Sequence, residues 1–322
     1  MILSLFLCIC FILWLLFGSL STVLTERWRN HKWGILLWRS ECIYCHHMLS
    51  AKELIPLFSY IFQRGRCLHC SKKISISYPL SELFMAILFT VISYKILAWW
   101  YDLFSIQHFV LLSCAFITWV YTIYDIRYME IPDKIMIPGI WGIIILSTLV
   151  WIFPDFSSLF FDFPSYDGDT KWMLLDHLYG AGILYTFLYL QILIPGSWHL
   201  ISHQQFKELK ELLLGYFLFP IMLLFGKFNT PHDKWEDITI PTWVGGGDLR
   251  IALFIGLSLG TIHGIASFFF AYIIGSIIGI YILLRKGRTQ KSHEIPFWPF
   301  LAIGWVLAIF FYEDILDIIY IL

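Results

Sequence analysis

The sequence predicts an all-α polytopic membrane protein, and three observations support this prediction. Hydrophobic residues make up 59% of the 322-residue chain, charged residues make up 14%, and the mean hydropathy is +0.73. Soluble globular proteins are about 25% charged. Apolar runs long enough to cross a bilayer as helices recur along the chain. The net charge of -1 gives no overall basic field, so we expect no nucleic-acid partner.

We expect about eight transmembrane helices, with a small loop domain between the first two. The predicted spans are residues 2–25, 78–100, 105–125, 135–153, 173–194, 249–263, 265–284 and 299–320. The sixth and seventh spans are separated by a tight turn near Gly260 and Gly264. Glu26 and Arg27 follow the first apolar run, whereas a signal peptide has its basic segment before that run. The first run is therefore interpreted as a permanent span.

The distribution of Lys and Arg predicts the orientation of the spans. Segment 26–77 contains nine Lys and Arg residues against three acidic residues, and loop 285–294 is also basic. Both are expected on the cytoplasmic side. Loop 153–171 contains four Asp and one Lys and is expected outside, as are both termini. The predicted organisation is a first helix over 1–25, a cytoplasmic module over 26–77 and a membrane domain over 78–322.

The region 196–243 departs from a simple pattern of spans. Residues 199–211 predict an amphipathic helix, and the apolar stretch 212–226 that follows contains Pro220. Fifteen residues give about 22 Å of helix, which is shorter than the roughly 30 Å hydrocarbon core. We interpret 196–243 as an interfacial or re-entrant insertion on the cytoplasmic side. The alternative is a true crossing that has an unrecognised partner.

Four cysteines in the cytoplasmic module have the spacing of a zinc site. Cys42 and Cys45 form one CxxC pair, and Cys67 and Cys70 form a second after 21 intervening residues. Two such pairs can supply four thiolates to one tetrahedral ion. Cytosolic thiols stay reduced, which favours structural zinc over disulfides. The alternative is two pairs of redox-active or free thiols. The neighbouring His46, His47 and His69 are not expected to be ligands.

Two aspartates at span ends are the candidate catalytic residues. Asp125 lies at the end of the third span, and Asp248 opens the sixth directly after Gly245, Gly246 and Gly247. The predicted topology places both at the cytoplasmic face. Two carboxylates that share one proton can hydrolyse a peptide, because the ionised one activates water and the protonated one binds the carbonyl oxygen. The glycines permit close approach of a substrate backbone. The alternative is a helix cap at Asp248 and an interfacial residue at Asp125.

Other polar residues near the spans have weaker signals. Asp133 lies in the short loop after Asp125 and is assigned to the active-site loop together with the three glycines. Glu82 is either a helix-start acid or a polar contact within the bundle. Asp176 and His177 begin the fifth span and are expected to be interfacial residues on the external side.

These motifs occur in an order that resembles the type IV prepilin peptidases, or leader peptidases, of the GxGD aspartic protease group (family A24). The resemblance covers most of the chain and includes both CxxC pairs and the two aspartates. The other matching segments are Gly18-Ser19, Arg39-Ser40, residues 55–60, Arg64-Gly65-Arg66, Tyr78-Pro79, Glu82, residues 131–133, Gly245-Gly246-Gly247 and residues 294–300. An ordered set of this kind is far more specific than any one of its members.

The resemblance implies a function. Members of the family remove the basic leader of prepilins and pseudopilins after a glycine, at the cytoplasmic face of the bacterial inner membrane. Many also N-methylate the new terminus with S-adenosylmethionine, an activity linked in the family to the cysteine module. The resemblance thus implies prepilin substrates, the lipid bilayer as environment, and zinc and S-adenosylmethionine as cofactors. No residue that binds the methyl donor is indicated, and neither the pilin substrate nor the oligomeric state is specified.

The chain differs from the usual family pattern at a few positions. Arg250 replaces a Lys that usually follows the second aspartate, and Trp298 replaces a usual glycine. Insertion 196–243 and loop 153–171 are longer than usual. Two other classes of function remain as alternatives. One is a transporter, which would place its ionisable groups near the midplane, often within internal repeats. The other is a catalytically altered membrane protein whose zinc module binds a partner.

Overall fold

A computed structural model of the chain describes residues 2–29, 39–99, 106–129, 133–152, 170–224, 246–286, 297–311, 314–315 and 317–318. Within these ranges the regular structure is helical, apart from two isolated antiparallel bridges. Four helices there are long and apolar enough to cross a membrane, namely Leu3–Arg29, Ser77–Lys95, Leu174–Ser202 and Gly247–Arg285. Met136–Leu146 and Trp298–Phe310 are shorter apolar helices. The predicted all-α membrane fold is confirmed.

The chain forms two compact units, Met1–Tyr128 and Met129–Leu322. The helices of the first unit are α1 (Ile2–Arg29), α2 (Phe58–Phe62), α3 (Ser77–Trp99) and α4 (Ile106–Tyr128). Helix α1 packs mainly on α3, and both contact α4. A Cβ on Gly18 would lie 2.8 Å from the Glu82 Cα, so the glycine permits the close crossing of α1 and α3. Trp14 and Phe89 fill the adjacent core, with ring centroids 4.6 Å apart.

In the second unit, one long helical segment contacts most of the others. The helices are α5 (Asp133–Ile152), α6 (Thr170–Ser202), α7 (Phe206–Leu224), α8 (Gly246–Lys286) and α9 (Trp298–Phe310). Helix α8 packs against α6, α9 and α5. The Trp305 indole on α9 donates to the Ser258 hydroxyl on α8 over 3.0 Å. This bond satisfies a buried donor within an otherwise apolar contact.

Helix α8 is a hairpin of two helical halves. Gly260 breaks it with φ 73° and ψ -169°, values that only glycine adopts without strain. The ideal Cβ position on Gly264 lies 3.7 Å from the Gly256 Cα, whereas eight residues of straight helix would separate them by about 12 Å. The second half therefore folds back along the first. The turn predicted near Gly260 and Gly264 is confirmed.

Helices α6 and α7 also form an antiparallel pair. The Tyr185 hydroxyl on α6 donates to the Tyr216 carbonyl on α7 over 3.0 Å, and the Tyr189 hydroxyl donates to the Leu212 carbonyl. The bounds of the predicted amphipathic helix 199–211 are wrong. Residues 199–202 complete α6, a turn follows, and Phe206–Leu224 is one helix that continues through Pro220. The tyrosines of α6 pack along α7, and this packing fixes the helix bounds more strongly than the pattern of charged residues in 199–211 does. Residues 225–243 of the predicted insertion lie outside the described residues.

Candidate active site and metal centre

The cysteine module is built from two copies of one turn. In the first, the Cys42 amide donates to the His47 carbonyl and the His46 amide donates to the Cys42 carbonyl. The second repeats both bonds 25 positions later, from Cys67 to Lys72 and from Ser71 to Cys67. His46 and Ser71 occupy matching left-handed positions, with φ of 55° and 56°. Each turn places both thiols of its CxxC pair on one side.

The two turns bring the four thiols together. The sulfur atoms of Cys42, Cys45, Cys67 and Cys70 all lie within 4.8 Å of one another. The Cys42 and Cys70 Sγ atoms are 3.9 Å apart. A tetrahedron with Zn–S bonds of about 2.3 Å has edges of about 3.8 Å, whereas a disulfide requires about 2.05 Å between its sulfurs. The spacing therefore suits a tetrahedral ion, and the four cysteines form a cluster that can bind zinc.

Backbone amides favour the thiolate at this cluster. Hydrogen bonds from the Cys70 and His69 amides lower the pKa of the Cys67 thiol to about 7. The Cys67 side chain is also the buried member of the four. Because the thiolate is the metal-binding form, these bonds preorganise the cluster for a cation.

A buried carboxylate joins the module to the membrane helices. Glu82 of α3 is 8% exposed, and its Oε2 accepts a hydrogen bond from the Leu57 amide over 2.9 Å. Leu57 itself has a φ of 60°, an uncommon value for a residue other than glycine. The Glu82 carboxylate thus contacts the backbone of the module, a partner that neither sequence interpretation specifies. The Leu57 partner has no signature in the sequence.

A second polar cluster lies where α1, α3 and α4 meet. Glu26 accepts hydrogen bonds from the Tyr78 hydroxyl and from the Arg127 guanidinium, the latter over 3.2 Å. The Arg127 guanidinium also lies over the Tyr78 ring, 5.0 Å from its centroid. All three side chains are therefore ordered by one another at the end of the helices that adjoins the module.

Between the module and helices α1 and α3 lies a cavity of about 630 Å³. This volume is within the range of roughly 300–1,000 Å³ typical of small-molecule sites. Tyr44, Tyr60 and Tyr78 line it, so aromatic surface is available to a planar ligand. Its charged lining comprises the carboxylates of Glu26, Glu41, Glu53 and Glu82 and the cations of Arg27, Arg39, Lys72 and Lys73. The cavity can therefore receive a zwitterionic ligand.

Asp125 lies in the last turn of α4 in the first unit. Its side chain is only 7% exposed, and it follows the buried residues Ile123 and Tyr124. A carboxylate that is largely buried at a helix end is a functional candidate in a membrane protein. The structure thus places Asp125 at the end of a helix.

Asp248 lies in the first turn of α8 in the second unit and is half-buried. Tyr272 lies near Asp248, and its hydroxyl accepts a hydrogen bond from the Gln191 amide over 2.7 Å. Gly246 and Gly247 are the first two residues of α8, so they precede Asp248 within the helix and do not lie in a loop. Gly245 lies outside the described residues.

Asp133 is likewise not a loop residue, because it begins α5. Its side chain lies outside the described residues. Asp125 and Asp133 also belong to different units, as do Asp125 and Asp248.

The pair Asp176 and His177 has a structural role that the sequence did not reveal. Asp176 Oδ2 accepts a hydrogen bond from the Thr261 amide over 3.2 Å, at the start of the second half of α8. His177 is 7% exposed, and its Nδ1 lies 2.6 Å from the Leu257 carbonyl oxygen. His177 is thus packed inside the unit. Both side chains instead bind the backbone on either side of the Gly260 break.

Two family models match the chain in tandem. The bacterial peptidase A24 N-terminal domain matches residues 12–96, and the type IV leader peptidase family matches residues 109–280. The chain belongs to the type IV leader peptidase family. The first match contains the cysteine module and Glu82, and the second contains both candidate aspartates. Membership confirms the predicted family. It supports neither alternative, the transporter or the altered protein whose zinc module binds a partner.

Curated relatives of the leader peptidase family align along nearly the whole chain. The chain is 28% identical over 312 residues to a prepilin leader peptidase/N-methyltransferase of Bacillus subtilis (strain 168), covering 96% of each protein. It is 25% identical over 286 residues to a protein of the same name from Pseudomonas putida, covering 87% of this chain and 75% of that protein. No solved structure matches the chain significantly.

Proposed function

We propose that this protein is a prepilin leader peptidase that cleaves after a glycine, with Asp125 and Asp248 as its catalytic carboxylates. Family membership carries the proposal, and the two aspartates supply the chemistry. Each lies at the end of an apolar helix, one largely buried and one half-buried. The names of the relatives support prepilins as the substrate class, and the family resemblance extends the proposal to pseudopilins.

The proposed hydrolysis uses water as the nucleophile. One ionised carboxylate takes a proton from a water molecule, and the oxygen of that water attacks the scissile carbonyl carbon. The other carboxyl group, protonated at that moment, donates a hydrogen bond to the carbonyl oxygen. When the C–N bond breaks, the amine leaves with the proton that the first carboxylate had taken from water. We assign Gly245, Gly246, Gly247 and Asp133 to the surroundings of this site, where the glycines admit the substrate backbone.

A peptide with a basic leader, a glycine and an apolar helix tests the substrate class. The purified protein in detergent should cut it once, directly after the glycine, as read by mass spectrometry. A matched peptide in which a bulky residue replaces that glycine should remain intact. Cleavage within the apolar helix, or equal cleavage of both peptides, would contradict the proposed specificity.

We further propose that the 630 Å³ cavity of the first unit binds S-adenosylmethionine. When bound, that cofactor supplies an electrophilic methyl group for the new N-terminus. The tyrosines offer surface for its adenine, and the mixed charges suit its sulfonium, ammonium and carboxylate groups. The N-methyltransferase names of the relatives support this proposal.

Equilibrium dialysis with radiolabelled S-adenosylmethionine tests the cavity without relying on activity. Glu26→Gln removes a lining carboxylate, and loss of a charged hydrogen bond of about 1.5–3 kcal/mol should weaken binding by roughly 10–100-fold. Glu208→Gln, on α7 in the other unit, is the matched control and should bind like the wild type. Equal binding by all three proteins would place the cofactor elsewhere.

We also propose that the four cysteines bind one structural zinc, and that the module and catalytic aspartates lie on the cytoplasmic side of the bacterial inner membrane. The 3.9 Å sulfur separation supports the zinc assignment. The excess of Lys and Arg in segment 26–77 supports the orientation. A structural ion suits a module that is built from turns and two short helices, because such a segment buries little apolar surface by itself.

A further inference from the structure

A second set of metal-binding side chains lies in the module and shares no residue with the four cysteines. His47, Glu53 and His69 each offer one ligand atom, and these atoms all lie within 4.8 Å of one another. His47 follows the first CxxC pair, His69 lies inside the second, and Glu53 belongs to the connecting segment. The fold thus brings three separate pieces of the module to one point.

The carboxylate of Glu53 is fixed and largely buried. It lies in a short 3-10 helix, Ala51–Leu54, and its Oε2 accepts hydrogen bonds from the Ser50 amide and hydroxyl over 2.9 and 2.8 Å. The side chain is only 7% exposed. This residue therefore presents a charged oxygen in a defined place.

The second oxygen of Glu53 lies beside the His69 imidazole. Glu53 Oε1 is buried and has no hydrogen-bond partner among the described residues. His69 Nε2 lies 3.7 Å from it, which is beyond hydrogen-bond distance. Buried carboxylate oxygens are normally satisfied, so an unsatisfied one in a cluster with two histidines indicates a missing ligand.

The two imidazoles are close enough to share such a ligand. The rings of His47 and His69 have centroids 3.4 Å apart and are tilted by 32°. Ligand atoms about 2.0–2.2 Å from a tetrahedral ion lie about 3.3 Å apart, so modest rotation of the exposed rings brings all three into range. Their neutral nitrogens and the carboxylate are the donors that zinc and similar divalent ions accept.

We propose that His47, Glu53 and His69 bind a second divalent transition metal, with zinc as the physiological class of ion. The three residues supply three protein ligands and leave one position open to solvent, unlike the closed site of four cysteines. Bound there, the ion joins both cysteine turns to the Ala51–Leu54 segment. The proposal does not depend on the proposed peptidase or methyltransferase activity.

Metal content of the full-length protein in detergent tests the proposal. The wild type, loaded with zinc and freed of unbound metal, should contain two zinc ions per chain by mass spectrometry of the metal. His47→Asn and His69→Asn should each contain one. His46→Asn is the matched control, because His46 is an exposed neighbour outside the cluster, and it should contain two.

Cobalt separates the two sites by their colour. Cobalt at the four cysteines gives an intense thiolate-to-metal absorption, whereas cobalt at the histidine site gives only weak bands. Titration of the wild type should show the second, weakly coloured equivalent, and His47→Asn should lose that equivalent alone. Glu53→Gln should weaken it by more than the roughly 10–100-fold that loss of an outer carboxylate costs. One metal ion per wild-type chain, or two in every variant, would overturn the proposal.

Discussion

At the scale of single residues, carboxylates join segments that are far apart in the sequence. Glu82 binds the Leu57 amide, Glu26 binds Tyr78 and Arg127, and Asp176 binds the Thr261 amide. The sequence identifies such acids because charge in an apolar span is costly. It does not identify their partners, because a long-range hydrogen bond leaves no periodic pattern.

The cysteines were predictable for a different reason. Zinc requires four thiolates in a small volume, and the CxxC spacing already fixes two of them in each turn. His47 and His69 have no comparable spacing signal, because a histidine beside a cysteine is common without a metal. Their offset positions in two equivalent turns, together with Glu53 between them, are the signal that could have identified the second cluster.

Acidification should release zinc from the four cysteines. The pKa of the Cys67 thiol is lowered from an ordinary value of 9.0 to about 7. The thiolate therefore contributes its full stabilisation of the folded module above pH 9.0, and this contribution is lost as the pH falls through 7. Protons then compete with zinc at the sulfurs. Competition with a chelator should show affinity falling steeply between about pH 8 and 6.

Cys114→Ser provides the control for this pH dependence. Cys114 is buried in α4 and is not one of the four clustered cysteines. The variant should retain the affinity of the wild type and its dependence on pH. A zinc affinity that stays constant across this range would argue against thiolate ligands.

At the scale of elements, glycines decide how closely helices approach. A Cβ on Gly256 of α8 would overlap the backbone of Gly180 and Ala181 on α6. The same segment turns at Gly260, where the backbone is left-handed. The turn was predictable because two glycines interrupt a long apolar run. The α6–α8 contact was not, since a small residue in a membrane helix does not specify its partner.

Gly256→Ala should therefore destabilise the second unit. Overpacking of this kind costs about 1–3 kcal/mol, because the two backbones must separate. Gly182→Ala is the matched control, since nothing lies within 4 Å of its Cβ position on α6. Unfolding in mixed micelles of increasing denaturing detergent should show a lower midpoint for Gly256→Ala only. A shared midpoint would contradict the close packing of α6 and α8.

At the scale of the whole molecule, charge is distributed unevenly along the chain. The module segment 26–77 is strongly basic, whereas loop 153–171 is acidic. The overall class of fold could be predicted because composition alone requires a bilayer. Helix lengths were less predictable, since α6 continues to Ser202 through Pro195.

Proteolysis should reveal the orientation of the module. It carries exposed basic residues, including Lys52 and Lys72, whereas loop 153–171 has a single Lys. Trypsin should cut between residues 39 and 77 in inside-out vesicles and leave this segment intact in spheroplasts. Detergent-solubilised protein is the control for accessibility. Cleavage of the module in intact spheroplasts would contradict its cytoplasmic placement.

The central claim is that Asp125 and Asp248 are the catalytic carboxylates of a leader peptidase. The most direct measurement is the rate of prepilin-like peptide cleavage by wild type, Asp125→Asn and Asp248→Asn, with Asp314→Asn as the exposed control. Each of the first two variants should lose cleavage by at least about 10²–10⁴-fold, the usual contribution of a general acid or base, while folding and zinc content are retained. Asp314→Asn should cleave like the wild type. Full activity in either Asp125→Asn or Asp248→Asn would contradict the proposed mechanism.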